Sequence, residues 1–308
     1  MYGVIDIGSN TIRLVIYKVD EGSVHSIMSK KYAAGLANYV NKYRLMNEHG
    51  ILRLVEVLMD IEKIVRELQI DEVYSFGTAI LRNIANADEV LMAVNENCSF
   101  DVKILTGREE AIYDYYGIMY NCRAEECGIA ADIGGGSTEI AYFADRSVIT
   151  ACSIPSGSLN LYVDMVDKII PDQGEISKMR KHVARQLNTM DIPKLASNVD
   201  SLNVIGGTAR AILKLYNGHF DDSNDNKEFD HRFVKRLIED AEKKPCKLAR
   251  KILRSSPDRI HTIIPGAIII DEVLNQLDLD NVIVSVSGVR EGYLYEVLRN
   301  KGAIDERI

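Results

Sequence analysis

A chain of 308 residues with 46% hydrophobic and 27% charged side chains can bury a full core and is long enough for two domains. Its net charge of −8 excludes a general nucleic-acid binder, since phosphate backbones are held by basic surfaces. No run approaches a membrane span, and the amino terminus (MYGVIDIG) enters a strand at once without a basic, apolar leader, so the expectation is a cytoplasmic protein with no membrane partner. Cys98, Cys122, Cys127, Cys152 and Cys246 form no CxxC pair and read as reduced, mostly buried thiols. The six histidines show no metal-binding spacing.

In chain order the pattern alternates strand and helix. A hairpin over about Tyr2 to Val19 continues into a strand near Val24 to Lys31. Ile51, Leu54, Val55, Leu58, Ile61, Ile64, Val65 and Leu68 recur at helical spacing, so His49 to Leu68 is a helix with one face on a sheet. A strand at Glu72 to Phe76 runs into Gly77, Thr78 and a short helix carrying Arg82 and Asn83. Another strand, Asp101 to Leu105, ends in Thr106, Gly107 and a helix beginning REEAIYDYY. The polar stretch Asn121 to Glu126 reads as the boundary between domain I (1–124) and domain II (125–290). After it come a hairpin closed by Asp145 and Arg146, helices near Leu159 to Val166 and Gly174 to Asn188, and the strand Leu202 to Ile205 leading into GGTAR. Phe220 to Phe229 is acidic and reads as an exposed loop. Its acids Asp221, Asp222 and Asp225 lack calcium-loop spacing. The strand Val282 to Val286 and the helix REGYLYEVLR complete the chain.

The most informative feature is an internal repeat. DIGSNTIRLVIY, from Asp6 to Tyr17, returns without a gap as DIGGGSTEIAYF, from Asp132 to Phe143. Each copy ends a strand in small residues that let backbone N–H groups approach an anion closely. Two such turns in register, each preceded by Asp, point to duplicated halves facing one phosphate-sized ligand. Gly206, Gly207 and Thr208 form a third phosphate-compatible turn at a strand-to-helix junction. Arg13, Arg82, Arg210, Arg259 and Arg290 lie near these segments and could supply cations.

The segments Asp6 to Arg13, GTAILRN, LTGREEA, DIGGGSTE, VIGGTARAI and SGVREGYLYE occur in the order of the exopolyphosphatase and guanosine-pentaphosphate phosphohydrolase (Ppx/GppA) family, which the chain resembles over nearly its whole length. The resemblance implies two duplicated α/β domains of the actin, sugar kinase and Hsp70 (ribonuclease H-like) kind with a cleft between them. The last helix, about 291–308, is then expected to return to domain I, and the chain to be a short, two-domain member.

The resemblance also implies the site. Glu110, the second Glu of the GxEEA motif, is the expected base, with its neighbour Glu109 pointing elsewhere on the helix. Asp132 and Glu139 are the expected catalytic acids and, with Asp6, the expected ligands of Mg²⁺. The phosphate-binding set is Ser9, Asn10, Thr11, Arg13, Thr78, Arg82, Gly134, Gly135, Gly136, Ser137, Thr138, Gly206, Gly207 and Thr208. Glu139 aligns in the repeat with Arg13, so one hairpin presents a cation and the other an acid. The chain departs from the family pattern twice: KKYAAGLANYV replaces a basic residue followed by Leu-Gly-acid-Gly, and SGSLNLY puts Asn160 near the place of an Arg. The implied activity is release of terminal phosphate from polyphosphate. Removal of the 5′ γ-phosphate of guanosine pentaphosphate, or a non-catalytic alarmone sensor, are the alternatives. Partners are polyphosphate or a phosphorylated guanosine nucleotide, with a homodimer as an allowed assembly.

Overall fold

The computed structural model describes residues 1–20, 23–121, 127–193, 199–220 and 226–304. Two compact units emerge, one of Met1–Glu110 with the segment from Tyr293, the other of Ala111–Gly292. The expected boundary stretch lies outside the described residues from 122 to 126.

The first unit is built on a five-stranded sheet. Strands β1 (Tyr2–Ile7), β2 (Thr11–Asp20) and β3 (Ser23–Ala33) form an antiparallel meander. Helix α1 (Glu48–Glu67) begins where the side chain of Asn47 accepts from the Gly50 N–H at 3.0 Å, and it buries Ile51, Leu54, Leu58 and Ile61 on the core. Strand β4 (Glu72–Gly77) lies parallel to β1, then come α2 (Ala79–Arg82), α3 (Ala87–Asn97), β5 (Val102–Ile104) and α4 (Gly107–Asn121). Sheet order is β3-β2-β1-β4-β5. Helix α3, which the sequence reading passed over, contributes Val90 and Val94 to the same core.

In the second unit the plan recurs. Strands β6 (Cys127–Ile133), β7 (Thr138–Ala144) and β8 (Ser147–Ile154) form the meander, and β7 turns into β8 through Asp145 and Arg146, both at positive φ (48° and 58°) as a tight hairpin requires. Next are α5 (Ser158–Met165), α6 (Gln173–Leu187), β9 (Ser201–Ile205), α7 (Gly207–Phe220), β10 (Glu228–Asp230), α8 (His231–Lys243), α9 (Pro245–Ser255), α10 (Ile263–Leu277), β11 (Asn281–Val284) and α11 (Val289–Asn300). The order β8-β7-β6-β9-β11 matches that of the first sheet, with β10 added at the edge.

Three expectations need correction. Phe220 to Phe229 is not loop throughout: Glu228–Asp230 pairs with β11 and buries Phe229, while Asp221, Asp222 and Asp225 lie outside the described residues. Helices α8, α9 and α10 were not anticipated. The last is wholly apolar over its first eight residues, 263–270, with Ile263, Ile264, Ile268, Ile269 and Ile270 all fully buried, and that stretch offers no period to read. Finally, among the described cysteines only Cys98 is buried; Cys127 and Cys152 are half-buried and Cys246 is exposed.

The glycines of SGVREG have a packing role. A Cβ at Gly292 would sit 1.8 Å from the Tyr113 carbonyl oxygen, and one at Gly117 would sit 2.3 Å from that of Gly288, so the start of α11 and the middle of α4 touch backbone to backbone. Among the described residues no helix is long and apolar enough to cross a membrane.

Candidate active site

The duplicated hairpins place their charged residues in equivalent rows. Asp6 on β1 stands opposite Arg13 on β2, which stands opposite Lys31 on β3; in the second unit Asp132, Glu139 and Ser153 occupy the matching positions on β6, β7 and β8. Directly opposed residues of antiparallel strands share one face. The first row therefore carries one acid and two bases, the second two acids and a hydroxyl. Glu139 is 1% exposed and its Oε1 accepts from Ser153 Oγ at 2.7 Å. Burial, reinforced by the nearby Glu139 charge, pushes the Cys152 thiol up to about 11.

The Gly-rich turn is held from one side. The carbonyl of Gly134 accepts from Ser158 N (2.9 Å) and Ser158 Oγ (3.0 Å), that of Gly135 from Leu159 N (2.9 Å) and Asn160 N (3.0 Å), and that of Gly136 from Asn160 Nδ2 (3.0 Å). Asn160 Oδ1 also receives the Gly157 N–H at 2.7 Å. A trans peptide points its N–H opposite its C=O. With three consecutive carbonyls drawn toward the start of α5, the N–H groups of Gly135, Gly136 and Ser137 are turned to the other side, an anion-binding nest. Gly157 has no alternative there, because a Cβ would lie 2.4 Å from the Gly135 carbonyl carbon.

The first unit repeats this clamp. Ala37 N donates to the Ser9 carbonyl and Gly35 N to that of Asn10, each at 2.9 Å, so the Asn10 and Thr11 N–H groups face away. Both turns close with the same bond, Gly8 N to Thr11 O and Gly134 N to Ser137 O, each 3.1 Å. The two departures from the family pattern are thus the two clamps. Gly35-Leu36-Ala37-Asn38 and Gly157-Ser158-Leu159-Asn160 share a G-x-x-N spacing.

Glu110 and Arg82 are brought together in the first unit. Arg82 Nη1 donates to Glu110 Oε2 at 2.7 Å and to the Leu105 carbonyl at 2.9 Å, and Glu110 is 6% exposed. Glu109 has another task. Its Oε2 accepts from Thr106 N and Oγ1, both at 2.9 Å, while Glu109 N donates to Thr106 Oγ1 at 3.1 Å, closing a capping box at the start of α4. Lys103 Nζ lies 2.7 Å from Glu109 Oε1. Burial opposes the Glu109 charge, but Lys103 and the Thr106 donors outweigh it and hold the carboxyl below its ordinary value.

The third turn carries a cation. Gly206 has φ 106°, and a Cβ there would lie 2.8 Å from Asp132 Oδ1; a Cβ at Gly207 would lie 2.3 Å from Arg259 Nη2. The Arg259 guanidinium therefore covers the first residue of α7, with the Asp258 carboxylate 3.7 Å from its Nε. Three of the expected phosphate-binding residues have hydroxyls that contact the protein itself. Thr138 Oγ1 donates to the Ser156 carbonyl at 2.6 Å, Thr78 Oγ1 to that of Ile7 at 3.4 Å, and Thr208, 1% exposed, packs between Ser158 (Oγ to Oγ1, 3.3 Å) and Gly266.

The model of the Ppx/GppA phosphatase family matches residues 15–301. The chain belongs to that family. A putative exopolyphosphatase of Haemophilus influenzae is 22% identical over 303 residues, 98% of this chain and 93% of that protein. A guanosine-5′-triphosphate,3′-diphosphate pyrophosphatase of Vibrio atlanticus is 24% identical over 97% of this chain, which spans 59% of that longer protein. Among solved structures, the Ppx/GppA family member of Aquifex aeolicus has a TM-score of 0.82 at 25% identity, covering 97% of this chain and 98% of that one. An exopolyphosphatase of Cytophaga hutchinsonii shares the fold at TM-score 0.84 and 21% identity, covering 97% and 98%.

Asn160→Ala removes the side-chain bonds to Gly136 and Gly157 and should raise KM for a phosphorylated substrate about tenfold, the size of one hydrogen bond, in a protein that stays folded. Steady-state kinetics with circular dichroism checks this, and an unchanged KM would contradict the clamp.

Because the folded Glu109 carboxyl lies below the ordinary glutamate value of 4.5, its stabilisation is present above that value and is lost as pH falls through the lower folded one. Melting temperatures of the parent and Glu109→Gln should therefore differ at neutral pH and converge in acid.

Proposed function

We propose that this chain is a magnesium-dependent phosphohydrolase that releases terminal phosphate from inorganic polyphosphate in the cytoplasm. The observation that carries the reading is the Gly135 to Ser137 nest adjoining the opposed Asp132 and Glu139, since phosphoanhydride hydrolysis needs phosphate donors and acids in one place. In the reaction, Glu110 takes the proton of a water whose oxygen attacks the terminal phosphorus. The bridging P–O bond then breaks and the shortened chain leaves with the electron pair. Arg82 orients Glu110, and Arg13 and Lys31 attract the polyanion.

The acidic row fits a hard cation. Two carboxylates on opposed strand positions repel, and Mg²⁺ needs only one or two such ligands beside waters and phosphate oxygens. Among the described residues no group of three or more acid, His or Cys ligands converges, so Asp132 and Glu139 would hold the ion. When bound, it supplies charge neutralisation at the phosphoryl oxygens. Asp6, opposite Arg13, is better placed to orient that cation than to bind metal.

The Vibrio relative makes guanosine pentaphosphate a second substrate to test, and the same residues serve it. Phosphate release measured in parallel on long polyphosphate and guanosine pentaphosphate decides between them; release from neither defeats the proposal.

Glu110→Gln should lower turnover by about 10²–10⁴-fold with ligand binding nearly intact. Single-turnover kinetics alongside calorimetric binding tests it, and near-normal turnover reassigns the base.

Chelation should abolish activity, added Mg²⁺ should restore it, and Asp132→Ala should mimic the chelated enzyme. Full turnover in excess chelator would remove the metal from the mechanism.

Arg13→Ala should mainly raise KM, an effect that added salt partly reproduces in the parent through screening, whereas Glu139→Ala should mainly lower kcat. Kinetics of both variants at two salt concentrations read the split, and the reversed pattern counts against it.

A further inference from the structure

A cavity of about 250 Å³ opens between α7, α8 and α9, away from the turns described above. Its residues on α7 run from Lys214 to His219, in the half of the helix distant from Gly207. The floor is apolar: Phe233, Leu237 and Leu248 are core residues, yet they line this opening. The rim is cationic, with Lys214, Arg236, Lys251 and Arg254 against the single acid Asp240. None of the four cations has a carboxylate partner within ion-pair distance among the described residues. Lys214 Nζ donates to the Ser255 carbonyl, and Arg236 Nη1 lies 3.3 Å from His219 Nε2.

The charge is unusual for this chain. Its net charge is −8, yet from Lys243 to Arg254 there are six cations and no acid. On α9, Lys247, Arg250, Lys251 and Arg254 stand three or four positions apart, so each adjoins like charges that destabilise a helix. A solvated face ordinarily intersperses acids at those spacings. Unrelieved repulsion around an apolar hollow is what an amphipathic anion would offset.

We propose that this cavity binds a small organic phosphate, its apolar or aromatic body on Phe233, Leu237 and Leu248 and its anionic group between Arg236, Lys251 and Arg254. The site is separate from the phosphate turns and does not depend on the function proposed for them.

The test is titration of the full chain with phenyl phosphate, read by ¹³C-methyl NMR at Leu215, Leu237 and Leu248. Saturable shifts with a Kd of about 1 mM are expected for a ligand of this size. Lys251→Glu with Arg254→Glu should weaken binding at least about tenfold, the cost of losing charge-assisted contacts. Catalytic phosphate release should be unchanged. If the reversed pair fails to fold, Lys251→Gln with Arg254→Gln should give a smaller loss in the same direction. Absence of saturable shifts, equal affinity in a folded charge variant, or equally tight binding of phenol would each overturn the proposal.

Discussion

Three peptide carbonyls, those of Gly134, Gly135 and Gly136, accept hydrogen bonds from the first turn of α5, and the chemistry proposed here rests on that constraint. A Gly-rich turn left to itself samples many conformations and would lose them on binding. Fastened through its carbonyls, it presents N–H groups already oriented, so an anion meets a formed site. The side chain that fastens it, Asn160, is neutral, so the fastening itself adds no charge to the turn.

The same turn of α5 joins the nest to the rest of its unit. Ser158 Oγ bonds the Gly134 carbonyl and approaches Thr208 Oγ1, and Thr208 packs on Gly266 of the buried helix α10. Farther along α10, Asp271 is 1% exposed and is held by His231 Nε2 at 2.7 Å and by Arg180. A buried carboxylate is costly unless paired, and this one fixes α6 and α8 to the helix that supports the nest. Residues far from phosphate thereby set its geometry.

Much of this was legible in the sequence. The repeat gave the hairpins, their register and the turn residues, because strands with tightly specified pairing keep their spacing. Glu109 and Glu110 were correctly expected to diverge, and the T-x-x-E capping box from Thr106 to Glu109 could have been read outright. The hydroxyls of Thr78 and Thr138 bond backbone carbonyls, a use that the sequence does not distinguish from phosphate binding because small hydroxyl residues suit both. The clamps were noticed only as departures from a family pattern. They rest on contacts between Gly136 and Asn160, 24 positions apart, and between Ser9 and Ala37, 28 apart, which no local pattern encodes. Helix α10 escaped because the uniform apolarity of its first eight residues removes the period that marks a helix.

The two rows explain why a duplicated fold need not have duplicated chemistry. Position for position, Arg13 and Lys31 answer Glu139 and Ser153, so the charge on the middle strand changes sign and that on the third is lost while the backbone pairing is kept. Both rows keep an Asp on the first strand, but its neighbour decides its use. Asp6 stands opposite a guanidinium, whereas Asp132 stands opposite a second carboxylate, and like charges directly opposed disfavour each other. A duplicated backbone can thus keep its spacing while its charges diverge, because register is set by the apolar face and not by the sign of the polar residues between.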